Sequence, residues 1–405
     1  TGSDNTAVGD NAAGALTTGS DNVAVGSGAL ATEDGHGKNV AVGSESLATL
    51  NAGADSYNVA VGYQAGNDLT TGVENTIIGG LAGDVLTDAD YNVAVGYTAL
   101  SADTLGSRSV AIGRAALQAQ NFTTATAVYN TAVGFNAGTA VTTGIYNTLI
   151  GGLTGDAFTD ADYNVAIGTQ ALSADTLGSR SVAIGHAVLQ SQNFTTATDA
   201  YNTAVGFSAG TAVTTGVQNT FIGGLSGDAN TTASRNVAVG HNAATANTTG
   251  ADNVGVGDSA LAANTTASNN TALGSSALQA NTTGTSNTGI GRAALNANTT
   301  ASNNTAVGYY ALVANTTGAG NTAVGTIALD AITTSSNNTA VGHEALTNAT
   351  TGAGNTALGK STMTGVVTGS NNVAVGYSAM TANTSASNNV AVGVNALDTN
   401  TTGAS

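Results

Sequence analysis

One five-residue pattern, Asn-[Thr/Val]-small-[Val/Ile/Leu]-Gly, recurs through the chain and restricts what it can fold into. It occurs 23 times between Asn5 and Asn389, with serine in place of the asparagine at Ser109 and Ser181. Nineteen of the 22 intervals are 17 residues long, one is 19 and two are 21. Because such regularity is typical of stacked structural units, the pattern predicts a repeat architecture instead of a set of ordinary globular domains.

A repeat of 17 residues is too short for a pair of helices, which needs roughly 33 residues. A full unit reads NTAVGYYALVANTTGAG, from Asn304 to Gly320. We number its positions as columns one to seventeen and call each unit a coil. Glycine in column five and β-branched residues before it disfavour helix. The sequence predicts an all-β fold, a parallel β-solenoid or β-roll of about 17-residue coils. We expect a strand at NTAVG, a second short extended piece around ALVA and a turn at NTTG.

Columns three and four carry apolar residues in every coil. Column four is always Val, Ile or Leu, and column three is mostly Ala and never polar. Neighbouring residues of a strand face opposite sides, so this strand is apolar on both faces. A thin coil has one interior and covers only one of those faces. We therefore predict that column four faces inward and that column three lies near an interface with another copy of the chain, in a parallel homo-oligomer.

Column nine divides the repeats into two zones. It is Leu or Met in most coils, but it becomes Gly in adjacent pairs of coils, which gives four-coil blocks up to residue 235. Of the 24 acidic residues, 19 lie before residue 230. We interpret residues 1–235 as an ornamented acidic zone and residues 236–405 as a plain Asn/Thr-rich zone of one continuous rod.

Composition excludes several classes of partner. The net charge of −17 disfavours nucleic acid and anionic membrane surfaces. No apolar run approaches the roughly 18 residues of a membrane span, so we expect no membrane insertion in this segment. There is no cysteine to form a disulfide or a thiolate metal site. The chain begins without methionine and stops in mid-pattern, and we interpret it as a segment of a longer protein.

Two matches to enzyme motifs are explained by the repeat. GNTALGKS, from Gly354 to Ser361, matches the phosphate-binding loop, but Asn355–Gly359 is the recurring strand and no helix is predicted after it. GFSAG, from Gly206 to Gly210, matches a nucleophile elbow, yet the equivalents of Ser208 are Asn136 and Gln64. We predict that the chain is not an enzyme and that it has no catalytic residue.

Polar columns allow structural or ligand-binding interpretations. GGLAGD, GGLTGD and GGLSGD are similar to calcium-binding nonapeptides but have Ala82, Thr154 or Ser226 where those repeats have glycine at the fourth position. We expect no cofactor, with Ca²⁺ held by Asp88, Asp90, Asp160 and Asp162 as the alternative. The NTT columns are predicted to bond coil to coil. Ice-binding solenoids also carry threonine arrays, but adjacent threonines do not form a flat T-x-T face.

The two 21-residue intervals place extra residues beside QNFTTAT. Their aromatic residues are Phe122 and Tyr129 in one coil, and Phe194 and Tyr201 in the other. A solenoid accepts insertions at turns, so these four residues are candidates for protruding recognition loops. In the alternative, Phe122 and Phe194 fold back to cap the coils that carry Gly in column nine.

The units SVAIG and NVAVG or NTAVG resemble the head repeats of trimeric autotransporter adhesins of the YadA type. NTAVGYYALVANTTG is also similar to repeats of bacteriophage tail fibres and large bacterial surface proteins. The resemblance covers the whole chain, although the adhesin unit is usually shorter. It implies a left-handed β-roll, three chains about one axis and a location on a cell or virion surface.

From the residues and the resemblance together we predict a structural and adhesive fibre segment. Its partners would be copies of itself and a host-surface glycan or protein. A bacteriophage tail-fibre shaft is the first alternative, and an ice-binding solenoid is the second.

Overall fold

The computed structural model describes residues 2–365 and 367–402, and that part of the chain contains strands and turns but no helix. The chain divides into two compact units, Thr1–Asn202 and Thr203–Ser405. A three-residue strand occupies columns two to four of each of the 23 coils. The strands of the first unit are β1 Thr6–Val8, β2 Val23–Val25, β3 Val40–Val42, β4 Val59–Val61, β5 Thr76–Ile78, β6 Val93–Val95, β7 Gly106–Ser107, β8 Val110–Ile112, β9 Thr126–Ala127, β10 Thr131–Val133, β11 Thr148–Ile150, β12 Val165–Ile167, β13 Gly178–Ser179, β14 Val182–Ile184 and β15 Thr198–Asp199. Those of the second unit are β16 Thr203–Val205, β17 Thr220–Ile222, β18 Val237–Val239, β19 Val254–Val256, β20 Thr271–Leu273, β21 Thr288–Ile290, β22 Thr305–Val307, β23 Thr322–Val324, β24 Thr339–Val341, β25 Thr356–Leu358, β26 Val373–Val375 and β27 Val390–Val392.

Within each unit, the strand of one coil pairs in parallel with the strand of the next, column on column. Thr305 lies opposite Thr322, for example, and Val307 lies opposite Val324. The four short strands of the longer coils form two extra parallel pairs, β7 with β9 and β13 with β15. The predicted fold class, an all-β parallel β-solenoid with coils of about 17 residues, is confirmed.

The segment around ALVA was predicted to be a second extended piece, and that prediction is wrong. Columns six to eleven form consecutive turns. Tyr310 and Leu312 have φ of 56° and 52°, a left-handed conformation that non-glycine residues adopt rarely. The amide of Tyr310 donates to Arg292 O of the preceding coil at 3.1 Å, and that of Leu312 donates to Ala328 O of the following coil at 3.0 Å. Hydrogen bonds to both neighbouring coils hold the segment in this shape.

Glycine in column five has a steric cause. Gly308 has φ of 141°, and a Cβ atom there would collide with the carbonyl group of Gly325 in the next coil. The same conflict recurs along the column, so a side chain would force the coils apart. This close backbone approach explains why the repeat ends its strand with glycine.

The inward side of the strand is column three, so the prediction that column four faces inward is wrong. Ala306 and Ala323 are completely buried within the single chain, whereas Leu273 and Leu358 in column four are 46% and 47% exposed. The interior is filled by column three, by Ala in column eight, by Leu in column nine and by the side chains of column twelve. Because this core is thin, alanine fits column three where most larger residues would not.

Larger side chains in column three occur where column nine has lost its leucine. A Cβ atom at Gly66 would lie 2.9 Å from Ile77 Cδ1, and one at Gly138 would lie 2.7 Å from Leu149 Cδ1. Phe221 similarly occupies the space beside Gly227. Each pair of glycine coils is therefore filled by one enlarged column-three residue. In the coil that begins at Asn147, Phe158 in column twelve also packs against Gly155.

This exchange of volume predicts strong coupling between columns three and nine. Phe221→Ala should destabilise by about 3–5 kcal/mol through a cavity, and Gly227→Leu should destabilise through overpacking. The double variant restores the Ala, Leu and Asn combination of the plain coils, so we expect it to recover most of the loss. Urea unfolding of the four proteins measures a coupling of about 1–3 kcal/mol. As a control, Phe221→Ala is combined with Gly138→Leu, which lies in the other unit, and the two effects should add. If the effects of Phe221→Ala and Gly227→Leu were also additive, columns three and nine would not be coupled.

Candidate functional site

The enzyme-like motifs lie in ordinary parts of the coil. Strand β25 runs through the middle of GNTALGKS, and Lys360 follows it in a turn. Ser208 has φ of 51° and occupies the same left-handed turn position as Asn136. Both matches therefore follow from the repeat.

The Asn and Thr columns bond coil to coil, as predicted. In column twelve, Asn281 Nδ2 donates to Asn264 Oδ1 at 3.0 Å and to Gly284 O at 2.9 Å. In column thirteen, Thr282 Oγ1 donates to Thr299 O at 3.0 Å. These hydrogen bonds stabilise the stack because they give amides and hydroxyls partners in the neighbouring coil.

The inserted residues of the longer coils cover a buried polar network. Asp175 Oδ2 accepts from Gln192 Nε2 at 2.6 Å, and Gln192 also donates to Ser181 Oγ at 3.2 Å. Gln192 Oε1 in turn accepts from Asn202 Nδ2. Serine in column one makes room for the glutamine. The network is repeated around Asp103, Gln120, Ser109 and Asn130.

The four predicted recognition residues separate into two kinds. Phe122 and Phe194 are only 8% and 6% exposed, and the amide of each donates to a buried aspartate, Asp103 or Asp175. Their burial favours a packing role, although Leu149 and Phe158, and not these phenylalanines, fill the glycine coils.

Tyr129 and Tyr201, in contrast, are 48% and 52% exposed. They follow the inserted residues and stand in column seventeen. Only these two of the four predicted residues present an aromatic ring to solvent.

Each of the acidic residues proposed as Ca²⁺ ligands accepts a hydrogen bond from the preceding coil. Asp88 and Asp160 accept from threonine hydroxyls of the preceding coil at 2.6 and 2.8 Å. Asp90 and Asp162 accept from backbone amides at 2.9 and 2.8 Å. Among residues 2–365 and 367–402 they do not form a group of three or more ligands.

The one such group in this part of the chain is Glu33, Asp34 and His36. The buried Glu33 carboxylate accepts from the amides of His36 and Ala52 at 2.9 and 3.2 Å. It therefore satisfies the backbone of its own turn and of the next coil.

A ladder of exposed rings and charges occupies column seventeen of the first unit. We name it the tyrosine ladder. It comprises Lys38, Tyr57, Glu74, Tyr91, Arg108, Tyr129, Tyr146, Tyr163, Arg180 and Tyr201, in ten consecutive coils. The sequence signal was present, since these residues immediately precede column one, but it is visible only when the columns are aligned.

Stacking between coils organises the tyrosine ladder. Tyr146 lies between Tyr129 and Tyr163, with ring centroids 5.4 and 5.1 Å away and nearly parallel planes. The Arg108 guanidinium lies over both Tyr91 and Tyr129, at 5.1 and 5.8 Å. Such contacts leave ring edges and hydroxyls facing solvent, because the neighbours cover the ring faces.

Lys38 ends the ladder with a network of its own. Its ammonium donates to Tyr57 Oη at 3.0 Å and pairs with Asp55 at 2.8 Å. The hydrogen bonds from Asp55 and Tyr57 hold the pKa of Lys38 above its usual value, and Lys38 lowers the pKa of Asp55. Lysine therefore remains charged over one face of the Tyr57 ring.

The second large surface feature is the outer sheet face, which we define as the side chains of columns two and four. Column two is Thr or Val, and column four is Val, Ile or Leu, in all 23 coils. The strand residues Thr305 and Val307 are half-buried, and the larger Ile78, Ile150 and Leu358 are exposed. No charged side chain interrupts these two columns in either unit.

The comparisons with known proteins do not name a family. No protein-family model matches the chain, and no curated protein matches its sequence. Over the described ranges, no helix is long and apolar enough to span a membrane.

Half-buried aspartates make stability depend on pH. Burial raises the pKa of Asp330, whose Oδ1 has no hydrogen-bond partner, above the ordinary value of 3.8. A raised folded-state pKa means that the native protein binds the proton more tightly than the unfolded chain. The contribution of Asp330 to stability should therefore become more favourable as pH falls from neutral towards 3.8.

We expect Asp330→Asn to raise the melting temperature at pH 7, because the amide carries no charge to desolvate. The gain should shrink as pH falls through the raised pKa, where the native carboxyl becomes neutral. Asp398→Asn is the matched control, since Asp398 stands in the same column but is exposed. Melting curves from pH 7 to pH 4 measure both, and a gain independent of pH would contradict the account.

Proposed function

We propose that this chain is a segment of an extracellular structural and adhesive fibre, which assembles with copies of itself and displays attachment groups on a cell or virion surface. The observation that carries the proposal is the uncharged outer sheet face. It belongs to a parallel sheet whose second side remains open to solvent in the single chain.

Physical chemistry disfavours leaving this face uncovered. Parallel sheets are normally buried on both sides. Twelve strands at ~4.8 Å spacing, each ~10 Å wide, present on the order of 500 Å² of sheet in the second unit alone. This uncharged area is comparable to the largest apolar patch of a typical soluble monomer, and such patches often mark interaction sites.

Another copy of the chain is the partner that fits best. Any partner must match a surface that repeats at the strand spacing through many coils. A second copy, aligned in parallel, has that period in every coil and the same absence of charge. Three copies about one axis is the arrangement implied by the resemblance to YadA-type heads, and we adopt it for the proposal.

The remaining surface is suited to attachment. Coil-to-coil hydrogen bonds hold side chains in regular rows, and the tyrosine ladder presents hydroxyls and ring edges in one of them. Aromatic and hydroxyl groups in such a row fit glycan or protein contacts on a host. The coil itself offers stacking and display, and we assign it no enzymatic role. A bacteriophage tail-fibre shaft would use the same properties.

One observation favours ice binding as a second candidate. Thr271, Thr288, Thr305, Thr322, Thr339 and Thr356 stand in column two of six successive coils. Each shares the outer sheet face with an aliphatic residue two positions on, so the face has a T-x-[Val/Ile/Leu] pattern. Such an array would be expected to act as a free monomer, with thermal hysteresis that is lost when these threonines are replaced.

The assembly proposal is tested by placing charge on the outer sheet face. We expect the native chain to sediment as an oligomer and the triple variant Val307→Asp, Val324→Asp, Val341→Asp to sediment as a folded monomer. An unpaired charge buried at an interface costs several kcal/mol, whereas in the monomer these aspartates face water. Sedimentation velocity and circular dichroism measure association and fold.

Two controls accompany it. Thr300→Asp, Thr317→Asp and Thr334→Asp add the same charge at exposed turn positions and should leave the oligomer intact. Ala306→Asp buries a charge in the core of each single chain and should unfold that coil, so it reports the fold and not the assembly. A monomeric native chain, or an oligomeric Val→Asp variant, would overturn the proposal, and a monomer with thermal hysteresis would favour ice binding.

A further inference from the structure

In the tyrosine ladder, the position between Tyr57 and Tyr91 carries neither a ring nor a guanidinium. Tyr57 is covered on one face by the Lys38 ammonium, 5.0 Å from its centroid, and Tyr91 is covered on one face by Arg108. Between them stands Glu74, an exposed carboxylate. A surface notch of about 400 Å³ beside this position is lined by Tyr57 and Glu74.

The interval between Tyr57 and Tyr91 matches two intervals of the ladder that hold a planar group. Tyr57 and Tyr91 are two coils apart, so their rings are separated by ~10 Å at normal strand spacing. The same two-coil interval between Tyr129 and Tyr163 is filled by the ring of Tyr146. Between Tyr91 and Tyr129 it is filled by the guanidinium of Arg108. The interval therefore accommodates one flat group in van der Waals contact with both tyrosines.

Charge selects which flat group belongs in the notch. No side-chain hydrogen bond or ion pair engages the Glu74 carboxylate among residues 2–365 and 367–402. Two ring faces and a carboxylate all attract a cation, since the face of an aromatic ring is electronegative. A neutral ring would fit the spacing but would leave Glu74 without a counter-charge.

We propose that Tyr57, Glu74 and Tyr91 form a binding site for a guanidinium group supplied from outside the chain. The bound group would reproduce the Tyr91–Arg108–Tyr129 stack two coils earlier in the ladder, with Glu74 accepting its N–H donors. The donor is either an arginine side chain exposed on a partner protein or a free small guanidinium compound. Both use the same chemistry at the site.

The probe for the shared chemistry is N-acetyl-arginine amide, titrated into the full chain with ¹³C-labelled tyrosine rings. We expect saturable shifts of two tyrosine signals, assigned by Tyr57→Phe and Tyr91→Phe, at low salt. N-acetyl-citrulline amide has the same shape without the charge and should bind about tenfold more weakly. A pentapeptide with a central arginine that binds more tightly than the amide indicates a protein segment as the donor, and equal binding indicates a small molecule.

Substitutions of Glu74 separate a cation site from an incidental notch. Glu74→Gln should weaken binding about tenfold, while Asp68→Asn, an exposed carboxylate elsewhere in the same unit, should leave it unchanged. Glu74→Arg should fill the notch with the chain's own guanidinium, abolish binding and shift both tyrosines without ligand. Arginine already occurs in this column at Arg108 and Arg180, so the variant requires no backbone conformation that arginine does not already adopt there. Equal binding of citrulline amide, or unchanged binding by Glu74→Arg, would overturn the proposal.

Discussion

The fold depends on the hydrogen bonds that the column-one asparagine makes to the coils on either side of it. Asn304 is completely buried. Its backbone amide donates to Asn287 Oδ1 of the preceding coil at 3.0 Å, and its own Oδ1 accepts from the amide of Asn321 in the next coil at 2.9 Å. Its own Nδ2 donates to Gly318 O at 2.9 Å, closing the turn before the next strand. One side chain thus fixes both the coil's closure and its register on its neighbour. Repetition of this arrangement through each unit explains why asparagine opens nearly every copy of the pattern.

The interior of each coil is thin, and this limits which residues can form the core. Each coil offers a few inward positions, and in the glycine coils a loss of volume at one of them is filled from another. Where column nine loses its leucine, Ile77, Leu149 or Phe221 replaces the usual alanine of column three. The thin interior also explains the polar residues of column twelve at the longer coils. Asp175 and Gln192 are both buried there, and they are hydrogen-bonded to each other. The core tolerates variation when neighbouring columns change together.

Stacking in register also turns isolated surface residues into continuous features. A tyrosine in one coil would be an ordinary exposed aromatic residue, but tyrosines and arginines in successive coils cover one another's faces and form the tyrosine ladder. A valine in one strand would be an ordinary edge residue, but columns two and four together form an uncharged sheet face. Both features arise from the period, and both face solvent in the single chain. Assembly and recognition can therefore use different columns of the same coil.

The sequence by itself determined the fold class, the position of the strand that recurs in every coil and the coil-to-coil role of Asn and Thr, because a period of 17 with glycine after a β-branched strand leaves few alternatives. It did not determine which apolar face was inside, since columns three and four were both apolar and alternation alone does not assign the interior. The paired changes at Ile77 with Gly83 and Phe221 with Gly227 carried that information in their volumes. Tertiary structure decided the left-handed turn at Leu312, the burial of Phe122 and the stacking of Tyr146, because each depends on hydrogen bonds or contacts with neighbouring coils 15 to 21 residues away.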